Sequence, residues 1–153
     1  MEKDTIDYLL LKNQLCFPLY AASRETIKLY KPFLDELDLT YTQYITVMLL
    51  WEHKTMTVKE LGEFLYLDSG TLTPLLKKLE AKGFITRARS RLDERNLNVT
   101  ITDEGAGVHD KALHIARAMG NYNLLTMEES VTLYRLLYKM LGKEVTELPD
   151  WAE

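Results

Sequence analysis

The chain has 153 residues, 46% of them apolar and 27% charged, with a formal net charge of −4 and one cysteine. That is enough chain for one domain with a real core, and no apolar run approaches the ~18–20 residues a membrane span needs. A single cysteine, Cys16, excludes a disulfide framework and a thiolate-rich zinc site. The acidic, polar first residues do not read as a targeting segment, so a cytoplasmic protein is expected.

In chain order, residues 6–14 read as a short helix with Ile6, Leu9, Leu10 and Leu15 on its apolar side. Pro18 suits the first position of a second helix, where its missing N–H costs nothing. That helix is expected to run to about residue 31, closed by Pro32. Asp38-Leu39-Thr40 leads into a third helix over 41–52, rich in Ile45, Val47, Leu49 and Trp51. Thr57 and Glu60 make a capping box for a helix over 57–64. A tight turn at 66–68 follows, then a helix over 69–82 capped by Asp68 or Ser69 and ended by Gly83. Its leucines, Leu72, Leu75, Leu76 and Leu79, form a buried stripe at 3- and 4-residue spacing. A basic strand region with Arg87, Arg89 and Arg91, a charged tip at 92–95 and a return strand over 98–102 come next. Thr102 opens a long helix to about residue 122, lined by Val108, Ala112, Ile115, Ala116 and Met119. Thr126 with Glu129 caps a last helix over 128–141, striped by Val131, Leu133, Tyr134, Leu137, Tyr138 and Leu141.

Residues 57–105 point to function. A helix-turn-helix followed by a basic hairpin is a winged helix, which lays one helix in the major groove and the hairpin near a minor groove. The overall negative charge conceals the local balance: over 71–102 seven cations face three acids, a net +4. For DNA the local basic face is what counts. Ser69, Gly70, Thr71 and Thr73 are small enough to let the helix N-terminus approach base edges, while Lys77 and Lys78 reach phosphates. Arg87, Arg89 and Arg91 line the hairpin, and Asp93 is expected to hold Arg95 for the minor groove. The plain alternatives are a solvated lysine helix and a solvated charge cluster.

The predicted fold class is therefore mainly α with a small β wing. Residues 54–102 are the DNA-binding unit, and residues 1–53 and 103–153 are dimerisation and sensing helices. The surplus apolar helix faces imply an obligate-type homodimer, with a larger monomeric core as the alternative. A two-fold dimer requires an inverted-repeat operator in double-stranded DNA. His53, His109 and His114 lack metal-ligand spacing; no metal, cofactor or enzymatic activity is expected.

Ser69-Gly70-Thr71-Leu72-Thr73-Pro74-Leu75-Leu76-Lys77-Lys78-Leu79-Glu80, Gly83-Phe84-Ile85, Arg89-Ser90 and Asp93-Glu94-Arg95 together resemble the MarR family of dimeric winged-helix regulators. The likeness covers nearly the whole chain. Leu15-Cys16-Phe17-Pro18-Leu19-Tyr20-Ala21, Tyr30 and Leu39-Thr40-Tyr41-Thr42-Gln43-Tyr44 resemble its organic-hydroperoxide-sensing repressor branch. That resemblance implies a redox-sensing site of Cys16 held by Tyr30 and Tyr41 across the dimer, with an organic hydroperoxide and a low-molecular-weight thiol as effectors. The chemistry agrees, because thiolates at helix N-termini are stabilised and oxidise readily; an inert packing cysteine is the plain alternative. The second cysteine that some relatives use is absent, so oxidised Cys16 must be capped by a small thiol, bridged to another protein or overoxidised. Two further readings compete with the thiol-switched repressor. One is a repressor released by a bound phenolic ligand; the other is a thiol peroxidase, which would have no use for a basic wing.

Overall fold

A computed structural model describes residues 7–89, 97–120, 122 and 124–152. Six α-helices and a three-stranded sheet are present among these residues. The chain divides into two compact units, one up to Ala116 and one from Arg117 onward.

The first unit opens with a single 3-10 turn, Leu11–Asn13, where a helix over 6–14 was expected. Asp7 accounts for the difference: its carboxylate accepts the Leu9 N–H at 3.0 Å and its carbonyl accepts from Asn13 Nδ2 at 2.8 Å. Such side-chain-to-backbone bonds compete with helix formation. Helix α1 then spans Cys16–Glu36. It begins two residues ahead of Pro18, which still lies in the first turn, where N–H groups have no intrahelical partner. It also runs through Pro32, which was expected to close it. One backbone bond is lost there, and burial of Leu34 two residues later, where α1 packs on α2, offsets it.

Helix α2 (Tyr41–His53) starts from a capping box in which Thr40 and Gln43 satisfy each other's backbone N–H groups. It is the centre of the unit. Tyr44, Thr46, Val47 and Leu50 are buried, and α2 packs on α3, α4 and the sheet. Thr57 and Glu60 form the expected capping box on α3 (Val58–Leu65). Tyr66, at φ 55° and ψ 38°, makes the left-handed turn that leads to α4 (Ser69–Ala81). All four stripe leucines of α4 are buried, and Gly83 at φ +79° ends it.

The hairpin is β2 (Ile85–Arg89) paired antiparallel with β3 (Leu97–Ile101), Arg87 opposite Val99. A third strand, β1 (Thr55–Thr57), pairs with the other edge of β3 and gives the order β1-β3-β2. This strand ties the start of the helix-turn-helix to the wing. Helix α5 (Asp103–Gly120) buries Gly105, Ala112 and Ile115, whereas Ala116 of the expected stripe is exposed. Gly105 must be glycine: a Cβ there would collide with the Phe84 carbonyl oxygen.

In the second unit, α6 (Met127–Met140) carries the expected Thr126–Glu129 capping box. No residue of α6 is buried in the chain, and Leu133, Leu136 and Met140 are exposed apolar side chains. Tyr134 lies against Tyr138 and the edge of Trp151.

Candidate functional site

Helix α4 is built from its cap outward. Asp68 has the extended backbone of an N-cap residue, and its Oδ1 accepts the Thr71 N–H at 2.9 Å. That bond, with one from the Thr71 hydroxyl, holds the Asp68 carboxyl below the usual carboxylate range. Ser69, Gly70, Thr71 and Thr73 are exposed on the first turn, and Lys77 and Lys78 are exposed farther along. The buried leucines occupy the opposite side. The arrangement is a rigid cylinder with a small-residue tip and a cationic flank, presented to solvent by its packed face.

The wing is less uniform than its arginines suggest. Residues 85, 87 and 89 of β2 share one face, and burial grades along it from Ile85 (buried) through Arg87 to exposed Arg89. Arg87 therefore points back toward α4 and meets Glu80 there. Its Nε and Nη2 donate to Glu80 Oε2 at 2.9 and 2.5 Å, and its backbone N–H donates to Oε1 at 3.2 Å. The Arg87 bonds hold the Glu80 carboxyl below its usual range. Arg91, Asp93 and Arg95 lie outside the described residues.

Cys16 is exposed at the first residue of α1. One turn on, the Tyr20 hydroxyl accepts from Arg24 Nη1 at 2.8 Å, and the Arg24 guanidinium also lies over the Tyr20 ring. Tyr30 and Tyr41 meet edge to face with centroids 5.0 Å apart, and Tyr44 adds a third ring 6.1 Å from Tyr30. Burial raises the phenol pKa of all three above 10.0, with mutual repulsion adding to the rise for Tyr30 and Tyr44. These phenols are thus kept as neutral donors. Tyr30 is fourteen residues beyond Cys16 on the same helix, about 21 Å along the axis at ~1.5 Å per residue. Within one chain, then, the tyrosines come together and the cysteine stands apart from them.

Sequence reasoning quoted Tyr44 only as part of the resemblance and gave it no role, although it follows Tyr41 at helical spacing. It also passed over a link with no local signal. Lys82, at the C-cap of α4, donates to the Asp38 backbone carbonyl and lies 3.0 Å from the Asp38 carboxylate. Asp38 stands at φ 51°, three residues before Tyr41. The end of α4 is thus tied to the turn that leads into Tyr41.

The histidines are held singly, His109 against Trp51 and Asp110, His114 against Phe33 and Glu36, and His53 against Phe64 and Glu52. A groove of about 500 Å³ between α2 and α5 is lined by Met48, Trp51, Glu52, Lys54, Ala106, His109 and Asp110. Its polar lining pairs the Glu52 and Asp110 carboxylates with Lys54 and His109. Among the described residues no helix is long and apolar enough to cross a membrane.

Residues 28–112 match the family of SarA/Rot transcriptional regulators. The chain is 49% identical over 139 residues to the organic hydroperoxide resistance transcriptional regulator of Bacillus subtilis, covering 91% of this chain and 95% of that protein. It is 41% identical over 133 residues to the regulator SarZ of Staphylococcus saprophyticus, covering 87% and 91% respectively. Among solved structures, reduced AbfR bound to DNA superposes with a TM-score of 0.72 at 34% identity, over 86% of this chain and 91% of that one.

Proposed function

Since this chain belongs to the SarA/Rot-type, MarR-like family of winged-helix transcriptional regulators, we propose that it is a homodimeric operator-binding repressor that releases DNA when an organic hydroperoxide oxidises Cys16. The observation that carries the reading is the separation on α1. Cys16 is exposed at one end and a buried-face tyrosine pair stands about 21 Å away at the other. A two-fold partner running antiparallel along α1 brings each cysteine to the other subunit's Tyr30 and Tyr41. The exposed apolar residues of α1 and α6, among them Phe17, Ile27, Leu133 and Leu136, supply the surface that such a partner covers.

In this reading Ser69, Gly70, Thr71, Thr73, Lys77 and Lys78 enter the major groove, and Arg89 with Arg91, Asp93 and Arg95 serves the wing. The operator is an inverted repeat with half-site centres about one helical turn, ~10 bp, apart. The Cys16 thiolate attacks the terminal peroxide oxygen, forming an S–O bond as the O–O bond breaks; the departing alkoxide takes a proton from water and leaves as an alcohol, and the sulfur becomes a sulfenic acid. A small thiol then condenses with the sulfenic acid, giving a mixed disulfide and water. The adduct displaces the partner's phenols. Tyr41 opens α2, and the Asp38–Lys82 link joins that end of α2 to the end of α4. Shifting α4 in both subunits spoils the fit to two grooves at once.

A swing from 1:99 to 99:1 needs about 5.5 kcal/mol. Two phenol-to-thiolate bonds per subunit, at ~1.5–3 kcal/mol each, are of that size. The test is operator binding by reduced protein before and after an alkyl hydroperoxide, with and without a small thiol. Wild type is expected to release DNA and Cys16→Ser to stay bound; a Cys16→Ser protein released as readily as wild type overturns the proposal.

A further inference from the structure

Arg87 occupies a position unsuited to a phosphate ligand. Its side chain is 19% exposed, and both Nε and Nη2 are spent on one carboxylate oxygen of Glu80 while its backbone N–H takes the other. A carboxylate that binds the main chain and the guanidinium of one residue together fixes both the strand and the side chain. The two partners lie on the two elements that must touch one duplex at once. Glu80 is on α4, three residues beyond Lys77, and Arg87 is at the middle of β2, two residues before exposed Arg89.

We infer that Glu80 and Arg87 are positioning residues, a brace that sets the wing against the reading helix and leaves DNA contact to Arg89 and the residues beyond it. The inference rests on α4 and the wing being the DNA-binding elements. Two contact elements held at the right separation bind as one, because the second contact forms at high effective concentration. Loosening the link weakens binding without deleting a contact.

Electrostatics alone predicts the opposite sign for Glu80. A carboxylate beside a polyanion is repelled by it, so its removal tightens binding unless it holds something in place. Arg87 as a direct phosphate ligand would act independently of Glu80, and the two substitutions would then add.

The experiment uses the full-length reduced protein and the duplex that wild type selects from a random-sequence pool. Affinities of Glu80→Ala, Arg87→Ala and the double variant are measured on that duplex and on one with its outer, wing-facing base pairs randomised. The brace predicts that each single change weakens binding to the selected duplex, on the order of tenfold, and that the double variant is no worse than either. It also predicts that the preference for the selected duplex over the flank-randomised one shrinks, which a general loss of folded protein would not produce. Glu80→Gln keeps one acceptor and carries the same test should Glu80→Ala fold poorly. Tighter binding by the Glu80 variants, or additive losses in the double variant, overturns the brace. Failure of wild type to select any duplex instead overturns the DNA-binding premise, so the two failures are distinguishable.

Discussion

A mixed dimer offers the sharpest test of how the thiol and the phenols meet. Cys16 and Tyr30 lie fourteen residues apart on one continuous helix, about 21 Å at ~1.5 Å rise per residue. A hydrogen bond spans about 3 Å, so no rotamer change lets a phenol at the far end of α1 reach the same chain's sulfur. Tyr41 is bound to the Tyr30 end by the 5.0 Å ring contact. Consider one protomer carrying Cys16→Ser with both tyrosines, paired with one carrying Tyr30→Phe and Tyr41→Phe with its cysteine. If the site is shared across the two-fold axis, one of the two sites is destroyed and the other is complete. If it lay within a chain, neither would be complete. Each phenol bond to the thiolate is worth ~1.5–3 kcal/mol, and 1.36 kcal/mol is tenfold in rate. The doubly substituted homodimer loses two such bonds, ~3–6 kcal/mol, and is therefore expected to oxidise roughly a hundredfold to ten-thousandfold more slowly than wild type. The mixed dimer should oxidise its single cysteine at the wild-type rate. Differently tagged protomers are co-purified, mixed with cumene hydroperoxide and quenched on the millisecond-to-second scale, and modified cysteine is counted by mass spectrometry. A mixed dimer as slow as the tyrosine-free homodimer refutes the shared site.

Three further outcomes are expected. Lys82→Met keeps the packed stem but loses both bonds to Asp38, so reduced protein should still bind its operator while the ratio of reduced to oxidised affinity falls; an unchanged ratio rules out this link as the route from Tyr41 to α4. Gly105→Ala places a methyl against the Phe84 carbonyl and within 2.8 Å of Ile101 Cδ1, which should cost at least ~1–3 kcal/mol and lower Tm by about 2–4 °C per kcal/mol; a wild-type melting curve would contradict this packing. The raised phenol pKa values of Tyr30, Tyr41 and Tyr44 mean that the folded state holds these protons more tightly than the unfolded chain. Their contribution is full below pH 10, is lost as pH rises beyond it, and should be smaller in Tyr44→Phe when denaturant midpoints are compared across that range.

Much of this protein was legible because its signals are local. Thr57 with Glu60 and Thr126 with Glu129 announce helix starts within a span of four residues, and both capping boxes form as read. The α4 leucines repeat at helical spacing, and all four are buried. A hydrogen bond three residues away or a stripe along one helix needs no knowledge of the rest of the chain. For the same reason residues 57–105 read as a winged helix from the sequence alone.

What the tertiary structure decided involves residues far apart in sequence, or competition between a local preference and packing. Pro32 locally favours an end to α1, yet the helix continues to Glu36 because the next turn buries Leu34 beside α2. Thr55–Thr57 is too short to declare itself a strand and becomes one only by bonding to β3, with Thr55 opposite Thr100. Arg87 reads as one of several equal wing arginines until the β2 pleat, which points alternate residues to one face, turns it onto Glu80. The placement of Cys16 relative to Tyr30 is the clearest case. Residue types named the candidates, but the rise of an unbroken helix sets their separation, and that distance keeps Cys16 out of reach of Tyr30 in the same chain.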